Sequence, residues 1–524
     1  MPAVNALRAV TLQLMLDGIN WTDVTADLRA LDHPFTIDAG GGGHGPNDRS
    51  PSIGRCEFAL DNSQANSAAT LGYYNPESAS VRTGFELNVK ARVVLDAGDT
   101  YGSHLYGDGL YGGPWYKFIG RIKEITVEPA VLGARRTICI ANDFIYEISK
   151  HKMNLLDVQE NRRSDLLFGD VYANMDDVAE ATDFNEGEET FAYGGDDLRD
   201  ESSTALAANH RIVMSEGGFW YVKGDPTTGG VLVYEGRHHR INSEAVFALT
   251  DADIQRMQVS RTIDDVLNVI RATSVPREIG ASPEILYTLQ RALEIAAGET
   301  VTFTGRFSDP SGRSSRIAGL GMITPVIDTD YKFGSSEGAG VNDKNADLGV
   351  TAEYGGNSVD WTLENTSGTG GFLNLLQARG TAIRSYEAAI STAEDAASKT
   401  AYGRREFALV LPYQDSPLVA MDFANQALAF YKDPRHYLET VGFTALNGLR
   451  MRLAVAGEPG VRISLAESVT EIGDEYFIQG YSMRIIPPDI ISVSFNLRLA
   501  SAEQAWLLDE VGFSELDLTT ILGV

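Results

Sequence analysis

The sequence predicts a mainly β protein with a few helices, built as two related small antiparallel β-barrels with an inserted mixed domain and an inserted β-sandwich. Three observations lead there. Polar and apolar residues alternate with a period of two in many short segments, such as "GRCEFALDN" and "FELNVKARVVL", the pattern of strands with one face in a core. Turn residues punctuate those segments at the spacing of small barrels and sandwiches. The last hundred residues repeat the order of the first hundred and fifty.

The first segment opens with Leu12, Leu14 and Leu16 alternating with polar residues, then Asp17-Gly18, then Ile19 and Trp21. Asp-Gly between alternating runs predicts a β-hairpin. Strands through "GRCEFALDN", "FELNVKARVVL", "YKFIGRIKEITVEP" and "RRTICIAND" complete a first barrel, residues 1–150. Near the other end, "GVRISLAESV", "EYFIQGYSMRIIPPD" and "IISVSFNLRLAS" follow one another in the same way. Laying Tyr116 on Tyr476 brings Gly120 onto Gly480 and Ile125 onto Ile485. The interval from Val89 to Tyr116 is then longer by twelve than the interval from Val461 to Tyr476. The excess is supplied by "TYGSHLYGDGLYGGPW", a Tyr-Gly loop inserted at a hairpin tip. An internal duplication predicts one module used twice.

Between the barrels, residues 151–260 read as a mixed α/β insertion. A helical spacing runs through Leu166, Leu167 and Val171, and two strands flank the turn in "GGFWYVKGDPTTGGVLVYEG". From Asp170 to Glu201 twelve acidic residues stand against one basic, Arg199; such a run predicts a solvated face. Residues 261–275 and 400–501 form the second barrel, and 276–399 a Gly-, Ser- and Thr-rich β-sandwich with two strands about the Gly-Gly-Asn turn of "VTAEYGGNSVDWTLENTS". The clearest helix spans 416–433. Ser416 can cap it, Pro417 suits its first turn, Met421, Ala424, Leu428 and Tyr431 make an apolar stripe, and Pro434 ends it. Residues 502–524 are a C-terminal tail.

The 524 residues, 43% hydrophobic, are enough for three or four domains. A net charge of −29 argues against binding the exterior of nucleic acid, which needs clustered Lys and Arg. Cys56 and Cys139 read as half-buried thiols rather than a disulfide scaffold. The N-terminus lacks the pattern of a signal peptide, and no apolar stretch is long enough for a membrane span.

The search for chemistry gives no catalytic, cofactor-binding or metal-ligating residues. "GGGGHGPNDR" at 40–49 lacks the Gly-Lys-Ser/Thr ending of a phosphate loop and reads as a mobile loop. His238 and His239 are adjacent and poor joint ligands. Asp251, Asp253, Asp328 and Asp330 lack the further oxygens of a calcium loop, so turn and capping roles are expected. Neither cysteine stands at a helix start beside a base, and paired carboxylates for glycoside hydrolysis stay open among 72 acidic residues.

The order of barrel, mixed insertion, "DDVLNVIRA", sandwich, helix and a barrel closing with "EYFIQGYSMRI", together with "GINWTDVTADL", "GRCEFALDN" and "LNLLQARGTAI", resembles the baseplate hub or minor tail proteins of tailed bacteriophages over most of the chain. The resemblance implies a structural, non-enzymatic virion component of the tail tip, made in the host cytoplasm. It implies a homotrimer whose six barrels sit coaxially on a hexameric tail tube. Its partners would be the tail tube protein, distal tail protein, tape measure protein and central fibre or tip proteins, with DNA only in transit through the channel and no stable membrane insertion. Tyr101, Tyr106, Tyr111 and Trp115 are the expected interface residues, because glycine permits close approach and tyrosine supplies contact area with a polar end. The alternatives are a host-glycan-binding tail protein, using the 276–399 sandwich and aromatics such as Trp361, and, behind it, a cell-wall hydrolase.

Overall fold

The computed structural model describes residues 10–96, 114–129, 135–153, 156–196, 203–241, 243–309, 312, 316–338, 341–446, 448–487 and 490–500. The fold is mainly β. The N-terminal module contains β1 (Val10–Leu14), β2 (Thr22–Asp23), β3 (Phe35–Gly40), β4 (Arg55–Asp61), β5 (Lys90–Asp96), β6 (Pro114–Glu128) and β7 (Arg136–Asn142). Alternation sets their faces: Val10, Leu12 and Leu14 of β1 are buried, with Thr11 and Gln13 between them half-buried. The expected hairpin is present, with Leu14 opposite Thr22. Its turn is longer than Asp-Gly alone, because the Asp17 carboxylate accepts the amides of Ile19 and Asn20. Ile19 is therefore turned into solvent instead of resuming the alternation.

The mixed insertion follows as α1 (Phe144–Lys150), β8 (Gln159–Arg163), α2 (Ser164–Ala173), β9 (Ala181–Phe184), β10 (Thr190–Gly194), α3 (Ala205–Glu216), β11 (Phe219–Lys223) and β12 (Val231–Glu235). It has its own core around Phe168, Trp220 and Tyr234. Next come β13 (Phe247–Thr250), β14 (Arg256–Ser260) and β15 (Val269–Ser274). A sandwich-like region holds β16 (Arg277–Thr288), β17 (Leu293–Ile295), β18 (Thr300–Arg306), β19 (Arg316–Leu320), β20 (Tyr331–Gly334), β21 (Leu348–Tyr354), β22 (Ser358–Asn365) and β23 (Gly371–Ser385). Its five-stranded and three-stranded sheets share the core of Leu286, Trp361 and Leu373. Then follow β24 (Ala389–Glu394), α4 (Ala396–Tyr402), β25 (Glu406–Val410), α5 (Pro417–Tyr431), β26 (Tyr437–Thr444), α6 (Gly448–Ala456), β27 (Arg462–Glu467), β28 (Ile472–Ile486) and β29 (Ile490–Leu499).

Three placements differ from the sequence expectation. Strands β13 and β14, from the stretch assigned to the mixed insertion, belong to the large sheet, β13 on β27 and β14 on β26. Strand β24, from the expected sandwich, pairs instead with β15, which also pairs β25; this separate three-stranded sheet, with α5 packed on β24 and β15, takes β15, β25 and α5 out of the sheet that holds the rest of the expected second barrel. Finally, Ser416 stands at the N-cap of α5 without a side-chain capping bond; Pro417 at its first turn and buried Ala424 and Tyr431 are as expected.

The two end modules form one thirteen-stranded sheet, ordered β14-β26-β29-β28-β3-β4-β7-β6-β5-β1-β2, with β27 on β28 and β13 on β27. The pairing path among the described residues is open, and a single hydrophobic core runs under both modules. Within each, the strands stand in the same order: β5-β6-β7-β4-β3 in the first, β27-β28-β29-β26-β14 in the second. The register of the duplication can be read from hydrogen bonds. Ile122 donates to Val89 O and accepts from Asn88; Ile478 donates to Val461 O and accepts from Gly460. A β-bulge follows at once in both, between Ile122 and Glu124 and between Ile478 and Gly480. Gly480 therefore occupies the place of Glu124, beyond the Gly120 that the sequences suggest. The interval from Val89 to Ile122 exceeds that from Val461 to Ile478 by sixteen, so the N-terminal insertion is larger than the expected twelve. With this register the core positions coincide: Ile122 with Ile478, Phe58 with Val441, Leu60 with Phe443, Cys139 with Phe495, all buried.

Candidate functional site

The two modules meet at a tightly packed seam. There β28 lies antiparallel on β3, from Gly480 opposite Gly40 to Ile485 opposite Phe35. Backbones meet so closely that a Cβ on Gly480 would lie 2.5 Å from Gly41 O and 2.6 Å from Ala39 O, and one on Gly40 would lie 2.3 Å from Gln479 O. Gly40 also has φ +78°, a conformation that favours glycine. Beneath the pair, Phe35, Ile37, Tyr481, Met483 and Ile485 are all buried.

A buried ion pair locks the seam from the β6 side. Lys117 of β6 lies 2.8 Å from Glu458, and both side chains are almost fully enclosed. The Lys117 ammonium also donates to Gly457 O at 2.9 Å and Val455 O at 3.2 Å, and sits 4.0 Å from the centre of the Tyr481 ring. The Tyr481 hydroxyl donates to Lys117 O. Burial pushes the Lys117 ammonium below its ordinary value, and Glu458 works in the other direction. A charge held this deep is retained by its partners, and those partners come from the opposite module.

Of the expected interface residues, Tyr101, Tyr106 and Tyr111 lie outside the described residues. Trp115 is half-buried at the start of β6, and its indole N–H donates to Glu458 at 3.2 Å, so it extends the same cluster. Trp361 is 1% exposed within the sandwich core and offers no face to a glycan. The 40–49 loop is anchored, not mobile: Tyr431 donates to His44 O, Arg498 to Gly45 O, and Arg49 to Gly217 O. The acidic run is likewise more than a solvated face. Asp170 takes Arg162, Asp183 takes Lys223, Glu189 takes Arg237, and the buried Asp196 forms a two-pronged pair with Arg277 of β16 at 2.8 and 3.0 Å. The other aspartates serve turns and pairs: Asp253 accepts from Thr250, Asp251 from Ser468, and Asp330 binds Arg379. His238 and His239 face different carboxylates, Glu188 and Glu235. Both cysteines are free and fully buried, which raises both thiols.

Sequence reasoning passed over Lys117, Glu458 and Asp143. The first had a signal, a lone lysine inside "WYKFIG". Asp143, directly after β7, caps α1 by accepting the Ile145 amide at 3.1 Å, and burial pushes its carboxyl up to about 7. Its place in the other module is held by Leu499.

Two strand edges complete the picture. Beyond Ile122, β6 pairs only with β7 among the described residues; β5 has already left it. Among the same residues, the end strand β14 pairs only with β26.

No family model and no curated protein matches this chain. Solved structures with a similar chain path include three tail proteins. One from Neisseria meningitidis MC58 has 12% identity and TM-score 0.46, covering 94% of this chain and 98% of its own. A 43 kDa tail protein of prophage MuSo2 from Shewanella oneidensis has 8% identity and TM-score 0.47, covering 95% and 98%. Prophage tail protein gp18 from Listeria monocytogenes EGD-e has 6% identity and TM-score 0.39, covering 93% and 94%. At these identities and scores no residue role is carried across.

Proposed function

We propose that the chain is a structural, non-enzymatic hub of a phage tail tip: a homotrimer presenting six β-modules around one axis. The observation that carries the reading is the duplicated module whose two copies share hydrogen-bond register and join edge to edge within one chain. A chain holding two like units gives a threefold assembly six like docking surfaces, which suits a sixfold tail tube. The tube protein and distal tail protein would lie on one side, the central fibre or tip proteins on the other, with the tape measure protein and then DNA passing through the bore. A net charge of −29 suits a bore that repels DNA in transit; a neutral or basic channel wall in the assembled tail would contradict that part. The Tyr-Gly insertion belongs to the surface that grips a tail partner.

The test is native mass of the purified full chain, alone and with tail tube protein. The expected assembly has three times the 56.8 kDa of one chain. A mass of one chain under both conditions overturns the reading.

A further inference from the structure

The seam inside the chain is half of a symmetric set, and the other half is vacant among the described residues. β28 uses the part of its edge that β27 leaves uncovered to pair with β3. By the shared register, the matching part of β6 is residues 124–128, uncovered by β5. The strand that matches β3 is β14: β3 lies antiparallel on β4 with Thr36 opposite Glu57, and β14 lies antiparallel on β26 with Gln258 opposite Thr440; past Gln258 the β14–β26 register shifts by one residue of β26, so Val259 and Ser260 are matched to Ile37 and Asp38 by counting along β14 itself. Glu57 and Thr440 are themselves equivalent, opposite Ile140 and Asn496. One chain thus carries a socket at one end of its sheet and a plug at the other, copies of a socket and plug already joined at its centre.

We infer that β6 of one copy pairs antiparallel with β14 of the next copy, in the register of the internal seam: Thr126 opposite Ser260, Val127 opposite Val259, Glu128 opposite Gln258. The inference rests on the multi-copy hub reading and names the surface that holds the copies together.

Three observations support it. First, exposed strand edges left unpaired are sites for pairing with another chain. Second, the side chains are already of the right kind. At the internal seam Ile37, Tyr481 and Met483 are buried; their counterparts Val259, Ile125 and Val127 are apolar but only half-buried, as is Met257, the counterpart of buried Phe35. A second copy would cover them as the seam covers the first set. Third, the backbone groups face the right way. Gly41 donates to Gln479 O across the seam, so the polar groups of Tyr481 and Met483 point to β3; those of Ile125 and Val127 point to the vacant edge by the same alternation. A plug and socket on different surfaces of one chain make a head-to-tail contact, which builds a ring when the rotation between copies closes and a filament when it does not; the trimeric hub reading requires the ring.

The test uses Thr126→Cys with Ser260→Cys in the full chain. Both positions lie on the outer face of the sheet, Thr126 exposed and Ser260 half-buried, and the native Cys56 and Cys139 are buried. Opposed strand residues of this kind have Cα atoms about 4.5 Å apart, within disulfide range. Under a mild oxidant, the double variant is expected to give covalent multimers on a non-reducing gel at least tenfold above either single variant and above the off-register Thr126→Cys/Gln258→Cys control. Val127→Pro, which removes one donor from the vacant edge and none from the β6–β7 ladder, is expected to abolish the multimer while the melting transition remains. A multimer by native mass with no on-register cross-link, or one untouched by Val127→Pro, overturns the edge pairing and leaves the hub reading standing. A chain that is monomeric and uncross-linked at every concentration, with and without tube protein, overturns both.

Discussion

The N-terminal and C-terminal modules place the same strands in the same order, yet they differ in nearly everything that connects those strands. Between β4 and β5 the N-terminal copy runs through turns at 62–89, whereas between β26 and β27 the C-terminal copy uses α6. The strand added next to the shared set is antiparallel in one (β1 on β5) and parallel in the other (β13 on β27). One long strand is partnered by β3, while the other keeps a vacant edge among the described residues. The comparison teaches that the shared object is the ladder and its bulge, held by backbone hydrogen bonds that ask little of residue identity. Loops and edges are where the copies diverge, and the edges decide what each copy can join.

The seam glycines should give the largest effect. Gly480→Ala drives a Cβ into two backbone oxygens that cannot move without parting β28 from β3, and is expected to abolish soluble folded protein. Gly473→Ala, on the same strand with no described atom within 4 Å of the new Cβ, should leave thermal unfolding unchanged. Equal behaviour of the two would mean that the close approach at the seam is not limiting.

Next is the buried pair. Lys117→Met or Glu458→Gln alone strands a buried charge and should cost about 3–5 kcal/mol in denaturant unfolding, while Lys117→Met with Glu458→Leu should recover most of it. If the double variant is as unstable as the singles, packing rather than charge pairing dominates.

Asp143 separates the modules by pH. Its carboxyl is raised from 3.8 to about 7 in the folded chain. Between those values the unfolded chain has lost the proton and the folded chain keeps it. Stability from this group is therefore full below about pH 4, falls as pH rises to 7 and is level above, a loss on the order of a few kcal/mol. Asp143→Asn, which can still cap α1, should remove that slope from a series of unfolding curves between pH 4 and 8. A slope that persists assigns the effect elsewhere.

The smallest change expected is Trp115→Phe. It removes one indole hydrogen bond to Glu458 and should cost about 1 kcal/mol, visible as a small shift in unfolding midpoint with native mass unaltered. Loss of assembly with intact folding would instead give Trp115 a contact outside its own chain.

Much of the local structure was legible. Alternation identified β1, β4, β5 and β7 and their buried faces; Gly-Gly-Asn marked the β21–β22 turn; Pro417 and an apolar stripe located α5. The duplication was legible as an order of strands but not as a register. "YKFIG" and "YFIQG" look alike, yet Gly120 and Gly480 meet different backbones: a Cβ on the first would strike Asn142 O, on the second Gly41 O. Lys117 could be noticed, but not paired with Glu458, which lies in another module far along the chain.

By itself the sequence determined which residues can be strand or helix and which face of each turns inward, because those choices depend on side chains two to four positions apart. Only the tertiary structure decided which strands are neighbours, where the two copies coincide, and which edges remain open. Ladder bonds are made by backbone groups common to every residue, so a partner is selected by burial and close approach between distant segments, and neither is written in any one of them.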